Sequence, residues 1–463
     1  MRKERMCRAG SHRALGCQVR WSLAILVSVS AAFGSPAPQA AAADPAATPP
    51  PAGSKPDAPV AGSSEIHAAF KDGLDFFTSD GSFKAHIGGR VLVHYRSVFD
   101  RPDDANRTSP DAFYLRNARL EMMGQYYKDF EFRITLDAPT GTTSATTGTL
   151  QDCYLGWKHY PECAVRIGQM KVPFSLEEMM TRKTLDFNER SVANRLSHSR
   201  DLGVMVSGVI AGGLFEYEAG VFNGQGRAVQ DGNDEKDVAL RLRTRPFLGS
   251  DAVPCLQGLT VGVAGTIGDL DNAPVSATLN ALDFYTTELN ILFLDATTGT
   301  LDGIRTRLGA EVSWSDGPFG LRGEYLQRTD SVDTATENDA RIASRGWYVT
   351  ASWLLTGEAK SFEKAVVPAQ PVDPGEGGWG AFELALRYSR LHIAHNIFDL
   401  GVASAASNSN GASVLTLGVN WYLTRNVRLC PEVIWERFDD KIAFSSRLED
   451  TCWGLLIKAQ LDF

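Results

Sequence analysis

The chain has 463 residues, of which 43% are hydrophobic, and a formal net charge of −9 at pH 7. This acidic balance argues against a nucleic-acid-binding protein, because phosphate backbones attract basic surfaces. No segment contains the roughly 20 consecutive apolar residues of a membrane-spanning helix, which excludes a helical membrane protein. A mean hydropathy of −0.16 fits both a soluble protein and a membrane barrel, since only alternate residues of a barrel strand face lipid.

The N-terminal segment has the pattern of a secretory signal peptide. Six basic side chains lie within the first 20 residues, and a short apolar core follows. Small residues then allow cleavage after Ala32 or after Ala43, so we assign 1–43 to the signal peptide. Residues 44–64 are rich in Pro, Ala, Gly and Ser, which predicts a disordered linker. The folded domain is therefore expected at 65–463.

From about residue 66 onward the chain consists of short runs in which apolar and polar side chains alternate. Successive side chains of a β-strand point to opposite faces of the sheet, so this pattern indicates strands with one apolar face. Runs of this kind, separated by Gly, Asn, Asp and Pro, lie at 83–97, 112–124, 129–138, 149–158, 163–171, 201–210, 213–223, 236–245, 257–268, 302–315, 318–328, 343–356, 378–392, 412–423, 425–437 and 448–463.

The number of strands and the lengths of their connections indicate a closed barrel. About 16 strands is an even number within the range of bacterial outer-membrane barrels. Several alternate connections are short, such as 126–128, whereas most intervening ones are long, such as 98–111 and 269–301. Short turns at one end and long loops at the other are typical of these barrels. The connections 246–256 and 357–377 depart from the pattern, because they are long where short turns are expected.

The last predicted strand carries the same pattern to the end of the sequence. Trp453, Leu455 and Phe463 share its apolar face, and Lys458 lies on the polar one. This arrangement resembles the closing strand of a bacterial outer-membrane barrel, with lipid on one side and a watery lumen on the other. The strands of a soluble β-sandwich also alternate between apolar and polar side chains, but a sandwich does not require short turns at one end and long loops at the other. We therefore predict an all-β fold, a transmembrane antiparallel β-barrel of about 16 strands.

If the polar faces line the lumen, many strands place cationic side chains there. Rings of Arg or Lys favour anions, and the planar guanidinium suits a phosphate oxyanion. Acidic residues such as Glu131, Glu311, Glu324, Glu383 and Glu432 fall on the same faces, so the alternative is that ion pairs stiffen the wall. The candidate lumen-wall residues are Arg90, Arg96, Arg133, Arg241, Arg243, Arg305, Arg307, Arg322, Arg387, Arg428 and Lys458.

The loop at 172–200 is the natural candidate to fold into the lumen and narrow it. It is long, it lies between the fifth and sixth predicted strands, and a barrel of this size would otherwise have a wide lumen. Its acidic residues nearly balance its basic ones, so any selectivity would depend on where each charge lies. The candidate anion contacts of this constriction loop are Arg182, Lys183, Arg190, Arg195 and Arg200.

Five cysteines lie downstream of the signal peptide, and none has the spacing of a metal or redox motif. Cys430 and Cys452 lie on consecutive predicted strands with both side chains toward the lumen. A disulfide between them is one hypothesis for an exported protein, and five separate small, semi-apolar side chains are the alternative. No feature indicates a cofactor, a metal site or catalytic residues, and we expect none.

Several segments of the chain form an ordered set: DGSFKAHIGGR (80–90), GQMKVPFSLEE (168–178), LDFNERS (185–191), RDLGV (200–204), GGWGAFELALRYS (377–389), GVNWYL (418–423) and NVR (426–428). In this order they resemble the phosphate-selective porin O and P family, and the resemblance covers about 75–463. The resemblance implies a 16-stranded trimeric outer-membrane channel with an infolded third loop. It also implies that basic loop residues and an arginine-lined wall draw phosphate or polyphosphate through the pore. Arg190 and Arg200 fall within matching segments, whereas Arg182 and Lys183 lie between them.

We therefore expect a homotrimeric porin in the outer membrane of a Gram-negative-type bacterium, with membrane lipid and the barrel-assembly machinery as partners and no nucleic acid. The predicted function is passive diffusion of small anions, with phosphate or polyphosphate as the leading solute. One alternative is a general diffusion pore for small hydrophilic solutes. Others are a barrel enzyme, for which the scattered histidines and the absence of a G-x-S-x-G element offer little support, and a structural barrel with a plugged lumen.

Overall fold

A computed structural model describes residues 65–99, 111–138, 149–229, 232–275, 282–444 and 447–463. The predicted signal peptide at 1–43 and most of the region before the barrel, including the linker at 44–64, lie outside the described residues. Within the described residues, no helix is long and apolar enough to cross a lipid bilayer.

Sixteen antiparallel strands form one closed barrel, as the sequence predicted. Each run of alternating residues corresponds to one of them. The barrel strands are β3 (Phe83–Phe99), β4 (Ala112–Tyr126), β5 (Phe130–Asp137), β6 (Thr149–Tyr160), β7 (Cys163–Lys171), β8 (Arg200–Ile210), β9 (Phe215–Phe222), β10 (Asp237–Thr244), β11 (Thr260–Pro274), β14 (Thr300–Asp316), β15 (Phe319–Asp333), β16 (Ala340–Leu354), β17 (Ala381–Ile393), β18 (Gly411–Tyr422), β19 (Val427–Phe444) and β20 (Arg447–Asp462).

The barrel closes where its last strand meets its first. β20 pairs antiparallel with β3, from Trp453 opposite Phe99 to Asp462 opposite Arg90. Closure satisfies the backbone hydrogen-bonding groups of every barrel strand, which the interior of a bilayer requires. The strands alternate as expected: Trp353 is 46% exposed on the outer face, whereas Leu354, the next residue, is 0% exposed.

A short hairpin precedes the barrel, and the sequence pattern did not reveal it. β1 (Ile66–Phe70) pairs with β2 (Leu74–Thr78), and β2 pairs with the start of β3. β2 and β20 pair with the same edge of β3, β2 at 84–87 and β20 at 90–99. Between them, Phe463 exchanges backbone hydrogen bonds with Gly89. All five residues of β1 are exposed, so no buried face imposed an alternating pattern on it.

Most long and short connections separate to opposite ends of the barrel, although the connection from Phe444 of β19 to Arg447 of β20 is short and lies with the long ones. We call the end where β3 begins and β20 finishes the terminal end, and the other the loop end. Turns at the terminal end are as short as 317–318. The two exceptions predicted from the sequence remain long, at 245–259 and 355–380. The second carries Lys360 into the barrel, where this side chain is 6% exposed.

Segments from the loop end fill one side of the lumen. The connection 275–299 carries a small hairpin, β12 (Phe284–Tyr285) with β13 (Leu292–Leu294), that the sequence analysis assigned to a loop. Its Phe293 and Leu294 are fully buried in a cluster with inward side chains of β14 to β20, among them Ile434. The inner face of these strands is therefore partly apolar, because it packs against protein instead of water. A short helix, α2 (Asn396–Asp399), adds Ile397 to the same cluster.

The structure contradicts the hypothesis of a disulfide between Cys430 and Cys452. Neither forms a disulfide in the structure, and both are buried, as expected for inward side chains. In the pairing of β19 with β20, however, Cys430 lies opposite Lys458, and Cys452 lies opposite Glu436. The two cysteines are thus six positions out of register, about 20 Å along the strands, which is far beyond the reach of a disulfide.

Candidate functional site

The constriction loop, which connects β7 to β8 at 172–199, lies inside the barrel. Ser175 begins its short helix α1 (Leu176–Met179), and the Ser175 hydroxyl accepts a hydrogen bond from the N–H of Glu178 at 3.2 Å. Phe174 and Phe187 are each 1% exposed, because they pack against the inner wall. The infolded loop predicted from its length and position is therefore present.

Carboxylates on the barrel wall anchor this loop by its backbone. Glu324 on β15 accepts hydrogen bonds from the N–H groups of Leu176 at 2.7 Å and Glu177 at 3.0 Å. Glu432 on β19 accepts one from the N–H of Asn188 at 2.6 Å. These contacts hold both ends of the loop's inner segment. The two acids therefore anchor the loop, a role that the sequence analysis did not foresee.

A second anchor joins the loop to the terminal end of the barrel. Asp186 of the loop pairs with Arg322 at 3.0 Å and accepts a hydrogen bond from Lys360 of the connection 355–380. Lys360 also donates to Glu383 on β17. Burial alone would raise the pKa of Asp186, but Arg322 and Lys360 hold it below its ordinary value. The aspartate is thus kept ionised as the centre of a four-residue network.

A third anchor is formed by Arg387 on β17. Its guanidinium donates to Glu177 of the constriction loop at 3.2 Å and to Glu288 of the connection 275–299 at 2.6 Å. Glu177 in turn accepts hydrogen bonds from the backbone N–H and the hydroxyl of Ser191. One arginine therefore links both infolded segments to the wall.

Seven of the predicted lumen-wall cations share this environment. Each is at most 4% exposed and contacts the infolded segments or neighbouring wall residues. They are Arg90, Arg305, Arg307, Arg322, Arg387, Arg428 and Lys458. All seven lie on β3 or on β14 to β20, and we call this part of the wall the filled half. Arg241 on β10 is equally buried, at 3% exposed, but it lies outside this half. Arg428, for example, donates to the carbonyl of Leu185 in the constriction loop at 3.0 Å.

The rest of the lumen, bounded by β4 to β10, is open, and we call it the open half. A cavity of about 410 Å³ lies there between the wall and the constriction loop. Nine cationic side chains but only three carboxylates line this cavity. The cations are Arg116, Arg119, Arg133, Arg166, Lys171, Arg182, Arg190, Arg200 and Arg227, and the carboxylates belong to Asp137, Asp152 and Glu178.

Most of these arginines have a carboxylate partner, but the partners are shared. Glu189 pairs with both Arg116 and Arg182. Glu131 pairs with Arg166 at 2.6 Å and also with Lys158 at 3.2 Å. Cations therefore outnumber the acids that neutralise them.

Two lining cations have neutral partners instead. Lys171 donates to the backbone carbonyls of Glu178, Met179 and Met180. Arg227, in the connection between β9 and β10, donates to the side-chain carbonyl of Gln151 at 2.8 Å. Within the part of the chain that the structure describes, Arg227 has no carboxylate partner. Its exposed side chain thus contributes an unneutralised positive charge near the loop end of the cavity.

A second cavity, of about 530 Å³, lies toward the terminal end. Arg241, Arg243 and Arg245 line it together with several hydroxyl groups, including that of Ser361. The loop residues 179–181 line both cavities and so lie between them, at the end of α1. The two basic cavities, one toward each end of the barrel, are the candidate pathway.

Electrostatics hold the constriction loop in place beside the pathway. Glu178 pairs with Arg190 at 3.2 Å and accepts hydrogen bonds from Asn194 at 3.2 Å and Ser199 at 2.9 Å. Burial alone would raise the pKa of Glu178, but Arg190 and Lys171 lower it to about 2. The carboxylate is therefore ionised throughout the physiological pH range.

The structure separates the loop candidates into two groups. Arg182, Arg190 and Arg200 line the first cavity. Lys183 instead lies 3.9 Å from Asp462, and Arg195 donates to the carbonyl of Tyr285 at 3.0 Å. Among the wall candidates, Arg133 lines the first cavity, and Arg241 and Arg243 line the second. Arg96 stacks on the ring of Tyr114 at 5.3 Å.

Five lining cations were absent from the sequence-based list: Arg116, Arg119, Arg166, Lys171 and Arg227. Strand alternation could have identified Arg166, which lies between the outward residues Val165 and Ile167. The register of β3 with β4 shifts between Leu92 and Val93, which interrupts alternation near Arg116 and Arg119. Arg227 lies in a loop, where no periodicity indicates direction.

Comparison with known proteins identifies the family. The sequence model of "Phosphate-selective porin O and P" matches residues 86–463. Porin O of Pseudomonas aeruginosa is 26% identical over 406 residues, which cover 80% of this chain and 86% of Porin O.

Solved structures support the same fold. The outer-membrane channel DcaP of Acinetobacter baumannii aligns with a TM-score of 0.52 and 10% identity, over 83% of this chain and 99% of DcaP. The trimer form of OmpT, an outer-membrane protein of Vibrio cholerae, aligns with a TM-score of 0.50 and 11% identity, over 82% of this chain and all of OmpT.

With a closed barrel, an infolded loop and a family match over most of its length, the chain belongs to the phosphate-selective porin O and P family and is a porin of the Gram-negative outer membrane.

Proposed function

We propose that this porin conducts small anions passively along the open half of its barrel, with phosphate as the leading solute. The observation that carries the proposal is the surplus of cations in the first cavity, where nine cationic side chains face three carboxylates. Rings of Arg and Lys in a pore favour anions over cations. A confined space of low dielectric strengthens this preference.

In this mechanism an anion enters from outside at Arg227, where the cation is exposed and has only an amide partner. It then passes the arginines of β4 to β8. Several of them share one carboxylate with a second cation, so an incoming anion competes with an acid that already divides its hydrogen bonds between two partners. Several moderate contacts in series permit both entry and release, which conduction requires. The planar guanidinium groups also match the oxygens of a phosphate.

The path continues past residues 179–181 into the second cavity and leaves at the terminal end. This end faces the periplasm, because short turns lie on the periplasmic side of outer-membrane barrels. Arg241 and Arg243 each pair with a glutamate, Arg241 with Glu311 at 2.7 Å and Arg243 with Glu216. Attraction is therefore weaker there than in the first cavity, which favours release.

A general diffusion pore for small hydrophilic solutes is the second candidate. It is favoured by the ion pairs of Arg119 with Asp137 and Arg200 with Asp152, which neutralise part of the wall. We also propose a homotrimer inserted by the barrel-assembly machinery, since OmpT of Vibrio cholerae was solved in a trimer form. Membership in a porin family supports a channel over an enzyme.

The test is the reversal potential of the purified protein in a planar bilayer under a KCl gradient, with and without phosphate. We expect anion selectivity in the wild type and partial block of the chloride current by phosphate. Arg227→Glu should weaken the selectivity. Lys441→Glu, an equal charge change at an exposed position of β19 next to the inward Ile442, is the matched control and should leave it unchanged. Equal selectivity of wild type and Arg227→Glu would contradict the pathway, and cation selectivity of the wild type would contradict the function.

A further inference from the structure

Arginines lie on the lipid-facing side of the barrel at the loop end of three strands. Arg341 and Arg345 on β16 and Arg437 on β19 are exposed, and they alternate with inward residues such as Ser344, which is 0% exposed. Arg390 on β17 is partly exposed on the same face. An outward-facing arginine on a membrane barrel has no role in the lumen, so this patch requires its own explanation.

Strand register aligns these side chains into two adjacent rows. Arg390 lies opposite Ser413, which in turn lies opposite Arg437. One pair farther out, Arg345 lies opposite His392. Arg345 is a diagonal neighbour of Arg390, about 7–8 Å away, and Arg437 lies two strands from Arg390, about 10 Å away, so the rows form one cationic patch. Arg390 confirms the geometry by donating to the Ser413 hydroxyl at 2.9 Å.

An aromatic belt lies immediately below the patch. Trp347 pairs with Arg390, and its ring contacts that of Tyr388 at 5.4 Å. Trp435 lies opposite Trp453, with ring centroids 6.1 Å apart. Aromatic girdles mark the interface between hydrocarbon and headgroups in outer-membrane barrels. The arginines thus lie at headgroup level on the outer side of the membrane.

The apolar band below the patch is short. On β16 the outward apolar residues extend from Trp347 to Trp353, with Leu355 just beyond the strand. These positions span about 26 Å along the chain, or about 20 Å along the membrane normal at the usual tilt, against a typical band of about 25 Å. The cations therefore lie close to the hydrocarbon boundary, where an uncompensated arginine is unfavourable.

Among the described residues, Arg390 is the one arginine of the patch with an ion pair. Arg390 pairs with Asp439 through two contacts of 2.7 and 2.6 Å. Arg341, Arg345 and Arg437 form no ion pair with any of the described residues. By contrast, the outward residues at the same end of the open half are apolar, for example Leu202, Val221 and Val238.

We propose that this patch binds the phosphorylated headgroup of a glycolipid in the outer leaflet of the membrane. Arginine binds phosphate through paired N–H groups, and the acyl chains of the same lipid would pack against the aromatic belt below. A second copy of the chain is disfavoured as the occupant, because a protein interface would bury unpaired arginines at considerable cost.

The test measures binding of diphosphoryl lipid A to the folded protein in detergent by native mass spectrometry. The double variant Arg345→Ser/Arg437→Ser is expected to bind about 25-fold more weakly, from about fivefold for each arginine near a lipid surface. The matched control, Lys364→Ser/Arg425→Ser, removes the same charge from exposed positions of the terminal end and should bind like the wild type. The conservative pair Arg345→Lys/Arg437→Lys should retain most of the affinity.

Three results would overturn the proposal. The first is equal binding by wild type and the Ser double variant. The second is equal binding of lipid A from which the phosphates were removed, or complete displacement by inorganic phosphate, which lacks acyl chains. The third is loss of the oligomer in the Ser double variant with lipid binding unchanged, which would assign the patch to a second copy of the chain.

Discussion

The two halves of the barrel wall use the same residue type in different ways. In the filled half, Arg387 and Arg322 are 0% and 1% exposed and hold the infolded segments through Glu177, Glu288 and Asp186. In the open half, Arg116, Arg133 and Arg166 keep 30–33% of their side-chain surface exposed toward a cavity. The infolded segments lie to one side of the lumen, so they cover the inward arginines of the filled half, whereas these three arginines of the open half keep part of their surface toward a cavity.

The largest expected effect comes from removing an anchor of the filled half. Arg387→Ala leaves Glu177 and Glu288 buried without their cation, which should cost about 3–5 kcal/mol. When samples are heated in steps before gel electrophoresis, the band of the folded barrel should disappear at a clearly lower temperature than in the wild type. The conductance should also become larger and noisier, because the loop detaches from the wall. The control is Glu363→Ala, which removes a surface pair with Arg245 worth about 0–1 kcal/mol. Similar heat resistance of the two variants would refute the division into halves.

Acid should release the constriction loop in a defined pH range. The pKa of Glu178 is about 2 in the folded protein, below its ordinary value of 4.5, so its ionised form stabilises the fold above pH 4.5. This stabilisation, on the order of 3 kcal/mol, is lost progressively as the pH falls toward 2. Single-channel recordings should therefore become noisier between pH 4 and pH 2, with reversal on return to neutral pH.

The Glu178→Gln variant sharpens this prediction. It cannot be ionised, so its recordings at neutral pH should resemble those of the wild type in acid. If the current noise of this variant at neutral pH equals that of the wild type, the pairing of Glu178 with Arg190 does not hold the loop.

In the open half, removing an arginine should destabilise the barrel less than removing Arg387, but it should change the ion selectivity. Arg166→Met leaves Glu131 with Lys158 as its partner, so the cost in stability should be below about 1 kcal/mol. The anion-to-cation permeability ratio should fall about two- to fivefold, because a cation facing the cavity is lost. Reversal potentials measure this change. A large loss of heat resistance with unchanged selectivity would mean that Arg166 serves as an anchor, like Arg387.

The sequence contains the fold almost completely, because closing a barrel in lipid requires every strand to alternate. The same rule identified which wall residues point inward. It could not predict which of these residues face water, because that depends on contacts between residues far apart in the sequence, 244 positions for Asn188 with Glu432 and 174 for Lys360 with Asp186. Arg305 and Arg133 follow the same strand pattern, yet the first is 3% exposed and the second lines the cavity.

Residues outside regular strands were the hardest to predict. Lys360 lies in a connection that weakened the pattern of loop lengths, and the structure explains why this connection is long: it reaches into the barrel to hold Asp186. Arg227 lies in a loop and acquires its place in the cavity through Gln151. Neither position follows from hydrophobic periodicity.

The most direct test of the central claim is to find where water and anions run inside the barrel. Cys153, Cys163, Cys255, Cys430 and Cys452 are first replaced by serine, and single cysteines are then introduced as Tyr154→Cys in the open half and Ala385→Cys in the filled half. A negatively charged methanethiosulfonate reagent is applied during bilayer recording. We expect the reagent to reduce the current of Tyr154→Cys and to leave Ala385→Cys unmodified. Rapid modification and block of Ala385→Cys, with no effect on Tyr154→Cys, would contradict the central claim.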